Sequence, residues 1–144
     1  MTIGEYIATL KNLEAKLQPF VDIAIDVGGE ELEANLKNRV FNANEDISGK
    51  GFGGYSESYK AYRLSLGKDV STKNLQLTDK MRLGIFFDTK EKELGFKDQE
   101  DANKGRGNEV YLKQVIFDAS ESEIKKTISV IEEEFNNLIG EQLN

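Results

Sequence analysis

The chain has 144 residues, among them 26 acidic and 19 basic ones, and its formal net charge at pH 7 is −7. It contains no Cys and no His, which excludes disulfides, thiolate metal sites and every catalytic system built on those two side chains. The length indicates one domain over residues 1–144. We therefore expect a protein that is not an enzyme and uses no cofactor, and its acidity disfavours tight binding to a nucleic-acid backbone.

Two further features concern location. No apolar run approaches the roughly 20 residues that a membrane-spanning helix needs. The first residues lack the basic start and apolar centre of a signal peptide. We therefore expect the chain to lie in a cytoplasm when it is synthesised, and we expect no membrane partners.

The first forty residues predict helix on both sides of Pro19. Apolar residues recur there at spacings of three and four, and we expect Pro19 to end one helix or to begin the next. The members of this pattern are Ile3, Ile7, Leu10, Leu13, Leu17, Val21, Ile25, Leu32, Leu36 and Val40. Gly28 and Gly29 interrupt it, which indicates a local kink or the close approach of a neighbour, and we favour the kink.

Residues 42–58 form a break rich in Gly, Asn and Ser, and we interpret it as a flexible loop or arm. A short helix should follow, because one stripe joins Tyr55, Tyr59, Tyr62 and Leu66. Gly67 is suited to end that helix, since Gly readily adopts the left-handed conformation of a helix terminus.

Residues 81–87 and 93–97 predict a β-hairpin whose turn is 88–92. We expect a loop over 98–109 and a third strand over 110–117. A C-terminal helix should begin at Ser120, because Ser120 and Glu123 have the spacing of a capping box, and it should end at Gly140. The order of elements indicates an α+β fold, in which long N-terminal helices and a C-terminal helix pack on a small antiparallel sheet.

Three motifs have alternative interpretations. Residues 49–54 match G-x-G-x-x-G, but a dinucleotide site needs that motif between a strand and a helix, so a flexible segment is favoured over a nucleotide site. A group of carboxylates has two interpretations, a Mg²⁺ site or a solvated surface, and the surface is favoured; its members are Asp98, Glu100 and Asp101. Tyr55, Tyr59, Tyr62 and Arg63 suit either a partner interface or a helix packed on its own core, and both remain open.

Several segments occur in an order that resembles one family. They are Arg39-Val40-Phe41, the Gly-rich loop, Tyr55-Ser56-x-x-Tyr59, then Arg63 and Gly67, followed by Leu77-Thr78-Asp79-Lys80-Met81 and Leu94-Gly95-Phe96. This order is similar to that of the small tailed-bacteriophage head–tail connector, neck and tail-completion proteins, the group of the phage Mu virion morphogenesis protein. Asp79 stands where that pattern has Gly.

The resemblance implies a structural virion protein without catalysis, which forms a ring with copies of itself between portal and tail proteins. DNA would pass through the ring without specific binding. We expect the protein contacts at Arg39, Phe41, Phe52, Tyr55, Tyr59 and Arg63. The alternative is an acidic inhibitor or DNA mimic that binds a host nucleic-acid enzyme, and a nucleotide-binding enzyme is a third hypothesis.

Overall fold

The computed structural model describes residues 2–71, 73–75 and 80–144. The elements are α1 (Ile3–Lys37), a π-helical turn (Asn38–Ala43), α2 (Glu57–Ser65), α3 (Lys80–Gly84), β1 (Ile85–Asp88), β2 (Glu93–Phe96), α4 (Gln99–Leu112) and α5 (Glu121–Leu143). The predicted α+β arrangement of long terminal helices and a small antiparallel sheet is confirmed. The step at Asp79 lies outside the described residues.

Helix α1 is continuous, so the prediction that Pro19 would separate two helices was wrong. The helix begins with a capping box in which Thr2 and Glu5 each accept a backbone N–H of the other. Pro19 removes one donor, but it lies at an exposed position, where water can reach the carbonyl left without a partner. Burial of Phe20 and Ala24 in the next turns keeps the helix packed.

Helices α1 and α5 pack antiparallel, and the glycine pair serves this packing. Gly28 lies against Ile131 of α5, while Gly29 lies against the ring of Phe87 on β1. A side chain at either position would collide with those neighbours. The favoured interpretation of a kink was therefore wrong, and the alternative of a close approach holds.

The predicted hairpin forms, with Ile85 opposite Phe96 and Asp88 opposite Glu93. Its first strand is shorter than predicted because the preceding residues belong to α3. The N–H of Lys97 donates to the carbonyl of Gly84 at 2.7 Å, which closes the ladder where α3 ends.

Residues 99–112 form helix α4, so the predicted loop over 98–109 and strand over 110–117 were both wrong. Asp98 caps the helix, because its side chain accepts the N–H of Asp101. Glycines within α4 lower its intrinsic propensity. One of them, Gly105, has Phe96 and Phe117 so close that a Cβ would stand 2.9 Å from the Phe96 ring. Packing of these rings therefore requires Gly at position 105, although Gly disfavours the helix in which it lies.

The main core lies where α1, the π-helical turn, the Gly-rich loop and β1 meet. Its buried members are Leu36, Val40, Phe41, Phe52, Ile85 and Ile116. Two predicted helix ends have different outcomes: Gly67 follows α2 with a φ of +69°, as expected, whereas α5 runs past Gly140 to Leu143.

Candidate functional site

Most of the residues predicted to contact partners are used inside this protomer. Phe41 and Phe52 belong to the core, and Tyr55 and Arg63 are buried as well. Tyr59 is partly exposed and remains available at the surface.

Arg39 joins the π-helical turn to the start of α5. Its guanidinium makes an ion pair with Glu123, with an Nε to Oε1 distance of 2.7 Å, and both side chains are about nine-tenths buried. It also donates to the carbonyls of Ile116 at 2.9 Å and Asp118 at 2.7 Å. Arg39 therefore joins the π-helical turn both to the segment 116–118 and to α5, and it gives the buried carboxylate of Glu123 a cation.

The Gly-rich loop is folded onto the core rather than loose. The carboxylate of Asp46 accepts the N–H groups of Ser48 and Lys50, both at 2.9 Å, and the amide of Gln114 at 2.8 Å. Burial alone would raise the pKa of Asp46, but these hydrogen bonds outweigh it and lower the pKa to about 2. With Phe52 in the core, the expectation of a flexible arm was wrong for this segment.

The G-x-G-x-x-G motif belongs to this same folded loop. It follows the π-helical turn instead of a strand, and residues Glu45 and Gly51 form an antiparallel bridge across it. Gly49 has a φ of +83°, which favours Gly in the turn between them. The motif is thus explained by the geometry of the turn.

Hydrogen bonds from Arg63 and Tyr55 fix α2 to the segment that follows it. The guanidinium of Arg63 lies 4.8 Å from the centre of the Tyr55 ring, and its Nε donates to the carbonyl of Asp69 at 3.1 Å. The Tyr55 hydroxyl donates to the carbonyl of Asn74 at 2.9 Å and accepts its N–H at 2.7 Å. These hydrogen bonds attach the described residues within 69–74, which follow α2, to Arg63 in α2 and to Tyr55 just before it.

Above this network lies an open cleft of about 580 Å³ between α2, the segment 73–75 and α4. Its described lining combines tyrosines, cations and uncharged polar groups, without a carboxylate. These residues are Tyr55, Ser56, Ser58, Tyr59, Tyr62, Arg63, Lys73, Asn74, Leu75, Met81, Lys104, Asn108 and Tyr111. The absence of carboxylates from the described lining contrasts with the net charge of −7 of the whole chain. We call this site the tyrosine cleft.

The tyrosine cleft combines aromatic rings in mutual contact with cationic side chains. The ring centres of Tyr59 and Tyr62 are 6.0 Å apart, and the ammonium of Lys73 lies 5.2 Å from the centre of Tyr111. Lys104 pairs with Glu100 at 2.8 Å, which raises the pKa of Lys104. Aromatic and cationic groups arranged in this way suit contact with a partner that presents carboxylates or flat apolar groups.

Sequence analysis found only part of this cleft. The spacing of the tyrosines indicated α2, but Lys104 and Tyr111 come from segments predicted as a loop and a strand. Because α4 was not predicted, no local signal could bring Tyr111 beside α2.

The acidic group predicted as solvated surface has a structural role. Lys80 lies within 4.0 Å of carboxylate oxygens of Asp98, Glu100 and Asp101. Asp98 and Glu100 are exposed, as predicted, whereas Asp101 is buried against the backbone of Gly84. In the described ranges, no cluster of acidic side chains is arranged to hold a metal ion.

A second exposed surface lies at the beginning of α1, where Ile3, Tyr6, Ile7 and Leu10 remain exposed. The sequence predicted Ile3, Ile7 and Leu10, but not Tyr6, as members of one helical stripe, and it did not predict that the stripe would lack a cover within the described chain.

Neither a protein-family model, nor a curated protein, nor a solved structure matches this chain. Among the described residues, no helix has the length and apolar character needed to cross a membrane.

Proposed function

We propose that this chain is a structural protein of a tailed-bacteriophage particle, which joins the head to the tail as a ring or tail-completion component. The order of the segments from Arg39 to Phe96 supports the assignment through its resemblance to that family. Such a protein acts through complementary surfaces and requires no chemical step.

One observation carries the proposal at the level of the molecule: a single protomer exposes two surfaces of different chemistry. The beginning of α1 is apolar, whereas the tyrosine cleft is aromatic and cationic. A ring subunit that contacts its neighbours head to tail needs two different surfaces, and one that also contacts portal or tail needs more.

The contact residues of this proposal differ from those expected from the sequence. Because Phe41, Phe52, Tyr55 and Arg63 are buried within the protomer, we no longer assign direct partner contacts to them. Tyr59, together with Tyr62 and Lys73, remains a candidate for direct contact. The hypothesis includes passage of DNA through the ring, and we assign no residue of this chain to a specific contact with the DNA.

The acidic-mimic alternative has less support. Several carboxylates pair with lysines along the same helix, such as Glu33 with Lys37 and Glu121 with Lys125. A mimic of a phosphate backbone needs rows of uncompensated negative charge.

A complementation experiment tests the proposal. A phage that lacks this gene would be supplied with wild-type protein, with Lys73→Glu, or with Lys90→Glu as a control that makes the same charge change on the exposed hairpin turn. We expect Lys73→Glu to yield filled heads and separate tails, while Lys90→Glu yields complete particles. Melting of each purified variant would confirm folding.

Two results would overturn the assignment. The first is normal infectious particles in the absence of the gene. The second is a neck density that other chains explain completely, with this chain missing from purified particles by mass spectrometry.

A further inference from the structure

Helix α1 is longer than its partner and projects past the end of α5. The antiparallel register is marked by Gly28 beside Ile131 and by Lys16, whose ammonium donates to the side chain of Gln142 at 2.7 Å. Since both helices rise equally per residue, α5 ends near residue 15 of α1. The first 12 residues of α1, a length of about 18 Å, extend beyond it.

This projecting part of α1, residues 3–14, continues the face that packs on α5. Leu10 lies about five full turns before Gly28 and therefore points to the same side of the helix. Leu10 belongs to a heptad seam, in which apolar residues alternate at spacings of three and four. Within the projecting part the seam residues are Ile3, Tyr6, Leu10 and Leu13.

The exposed fraction of the seam residues rises toward the start of α1. Phe20 and Ala24, which continue the same spacing, are buried within the protomer. Leu17, beside the last turn of α5, is already 38% exposed, and Leu13 is half-buried. The remaining seam residues are Leu10, Tyr6 and Ile3, which are 40%, 50% and 81% exposed. The seam thus continues from the packed helix pair into solvent, and within the described chain no helix lies beside it at the place that α5 vacates.

We propose that this place is filled by the projecting part of α1 from a second copy of the chain, in antiparallel orientation. Seam packing would then place Ile3 against Leu13 of the other copy and Tyr6 against Leu10 of the other copy, each contact occurring twice. Such a contact is self-complementary, as a two-fold dimer requires.

Charge and helix ends favour this occupant. The first 17 residues contain two Glu and two Lys, so two such segments meet without net repulsion although the whole chain carries −7. In the antiparallel arrangement the N-terminus of each α1 comes to the C-terminus of α5 in the other copy. The positive and negative ends of the helix dipoles then face each other.

The inference does not depend on a virion role. A two-fold contact through α1 occupies one of the two surfaces assigned to the ring and leaves only the tyrosine cleft free, so a dimer of the free protein would have to open before a head-to-tail ring closes. The interface is short, at the low end of specific protein contacts, and we expect a dissociation constant on the order of 1–100 µM.

Sedimentation of the full chain from about 1 to about 500 µM tests this proposal. We expect the mass to rise from the 16.2 kDa monomer to twice that value. Leu10→Glu should raise the dissociation constant by about 100-fold or more, because a charge would enter the seam. Asn12→Glu introduces the same charge on the same helix away from the seam, and should leave the dimer unchanged.

Orientation can be read from disulfides, since the natural chain has no Cys. A mixture of equal amounts of Tyr6→Cys and Leu10→Cys proteins should yield the mixed dimer as clearly more than the half of all dimers that random pairing would give. Dominant Leu10→Cys homodimers would overturn the antiparallel arrangement. A wild-type chain that stays monomeric throughout, or a dimer indifferent to Leu10→Glu, would overturn the proposal itself, whatever the outcome of the phage experiment.

Discussion

At the scale of single residues, buried polar side chains connect segments that are far apart in the chain. Arg39 lies in the π-helical turn and Asp46 in the Gly-rich loop that follows it, and each makes several hydrogen bonds, including at least one to a distant segment. Both are therefore positions where a small chemical change should have a large effect on the free energy of unfolding.

Replacing Arg39 by Ala should lower that free energy by about 3–5 kcal/mol, because Glu123 would remain buried without its cation. Lys125→Ala is the control, since its pair with Glu121 is exposed and should be worth less than about 1 kcal/mol. Urea unfolding measures both. A loss below about 1 kcal/mol for Arg39→Ala would contradict a structural role.

The pKa of Asp46 predicts how stability depends on pH. The ordinary value of 3.8 falls to about 2 in the folded state. Its stabilising contribution is therefore complete above about pH 4 and disappears as the pH falls toward 2. Asp46→Asn should cost about 1–3 kcal/mol at pH 7, because an amide replaces an acceptor that faces the Gln114 amide.

Measured from pH 7 to pH 2, the unfolding free energies of wild type and Asp46→Asn should converge in the acidic window. A constant difference between the two curves would show that the carboxylate does not titrate as the hydrogen bonds require. Subtracting the variant's curve removes the contributions of the other carboxylates that both proteins share.

At the scale of elements, packing decided where helices begin, continue and end. Glycines illustrate this, because Gly28, Gly29 and Gly105 each bring a helix close to a neighbouring side chain. Their low helix propensity is offset by contacts that only the folded chain provides.

Gly29→Ala should destabilise the fold by about 1–3 kcal/mol, because its Cβ would collide with the Phe87 ring. Gly140→Ala is the matched control: it is also in a helix, but no atom beyond its own helix turn lies within 4 Å of an added Cβ. We expect that variant to gain up to about 1 kcal/mol from its higher helix propensity. Thermal unfolding measures both, and a stabilised Gly29→Ala would contradict the close packing.

At the scale of the whole molecule, the protomer exposes two surfaces that are suited to protein contacts, the tyrosine cleft and the projecting part of α1. The tyrosine cleft depends on three segments meeting, whereas the projecting part of α1 depends on a difference in length between two helices. The tyrosine cleft is suited to a partner other than this chain, and the projecting part of α1 is suited to a second copy of it.

Association should also be visible in thermal stability. The melting temperature of the full chain should rise with protein concentration, because dimerisation stabilises the folded state by mass action. A chain lacking residues 1–10 should melt at a temperature independent of concentration, close to that of the dilute full chain. Loss of folding in the truncated chain would contradict the picture of a segment that projects from the packed pair.

Local signals predicted much of the fold from the sequence. The Ser120 capping box located the start of α5, and the alternation around residues 88–92 located the hairpin, because both depend on residues close in the chain. Helix α4 was missed, since its glycines and weak apolar stripe resemble a loop until Phe96 and Phe117 pack on it.

By itself, the sequence determined the α+β class, the hairpin, the capping box at Ser120 and the apolar stripe of α1, because periodicity and capping act within a few turns. Only the tertiary structure decided which face of each stripe is covered. It placed Phe41, Phe52 and Arg63 inside the protomer, brought Tyr111 to α2, and left Ile3 to Leu10 in solvent. The reason is physical: burial depends on which distant segments meet and on how long each helix is relative to its neighbour.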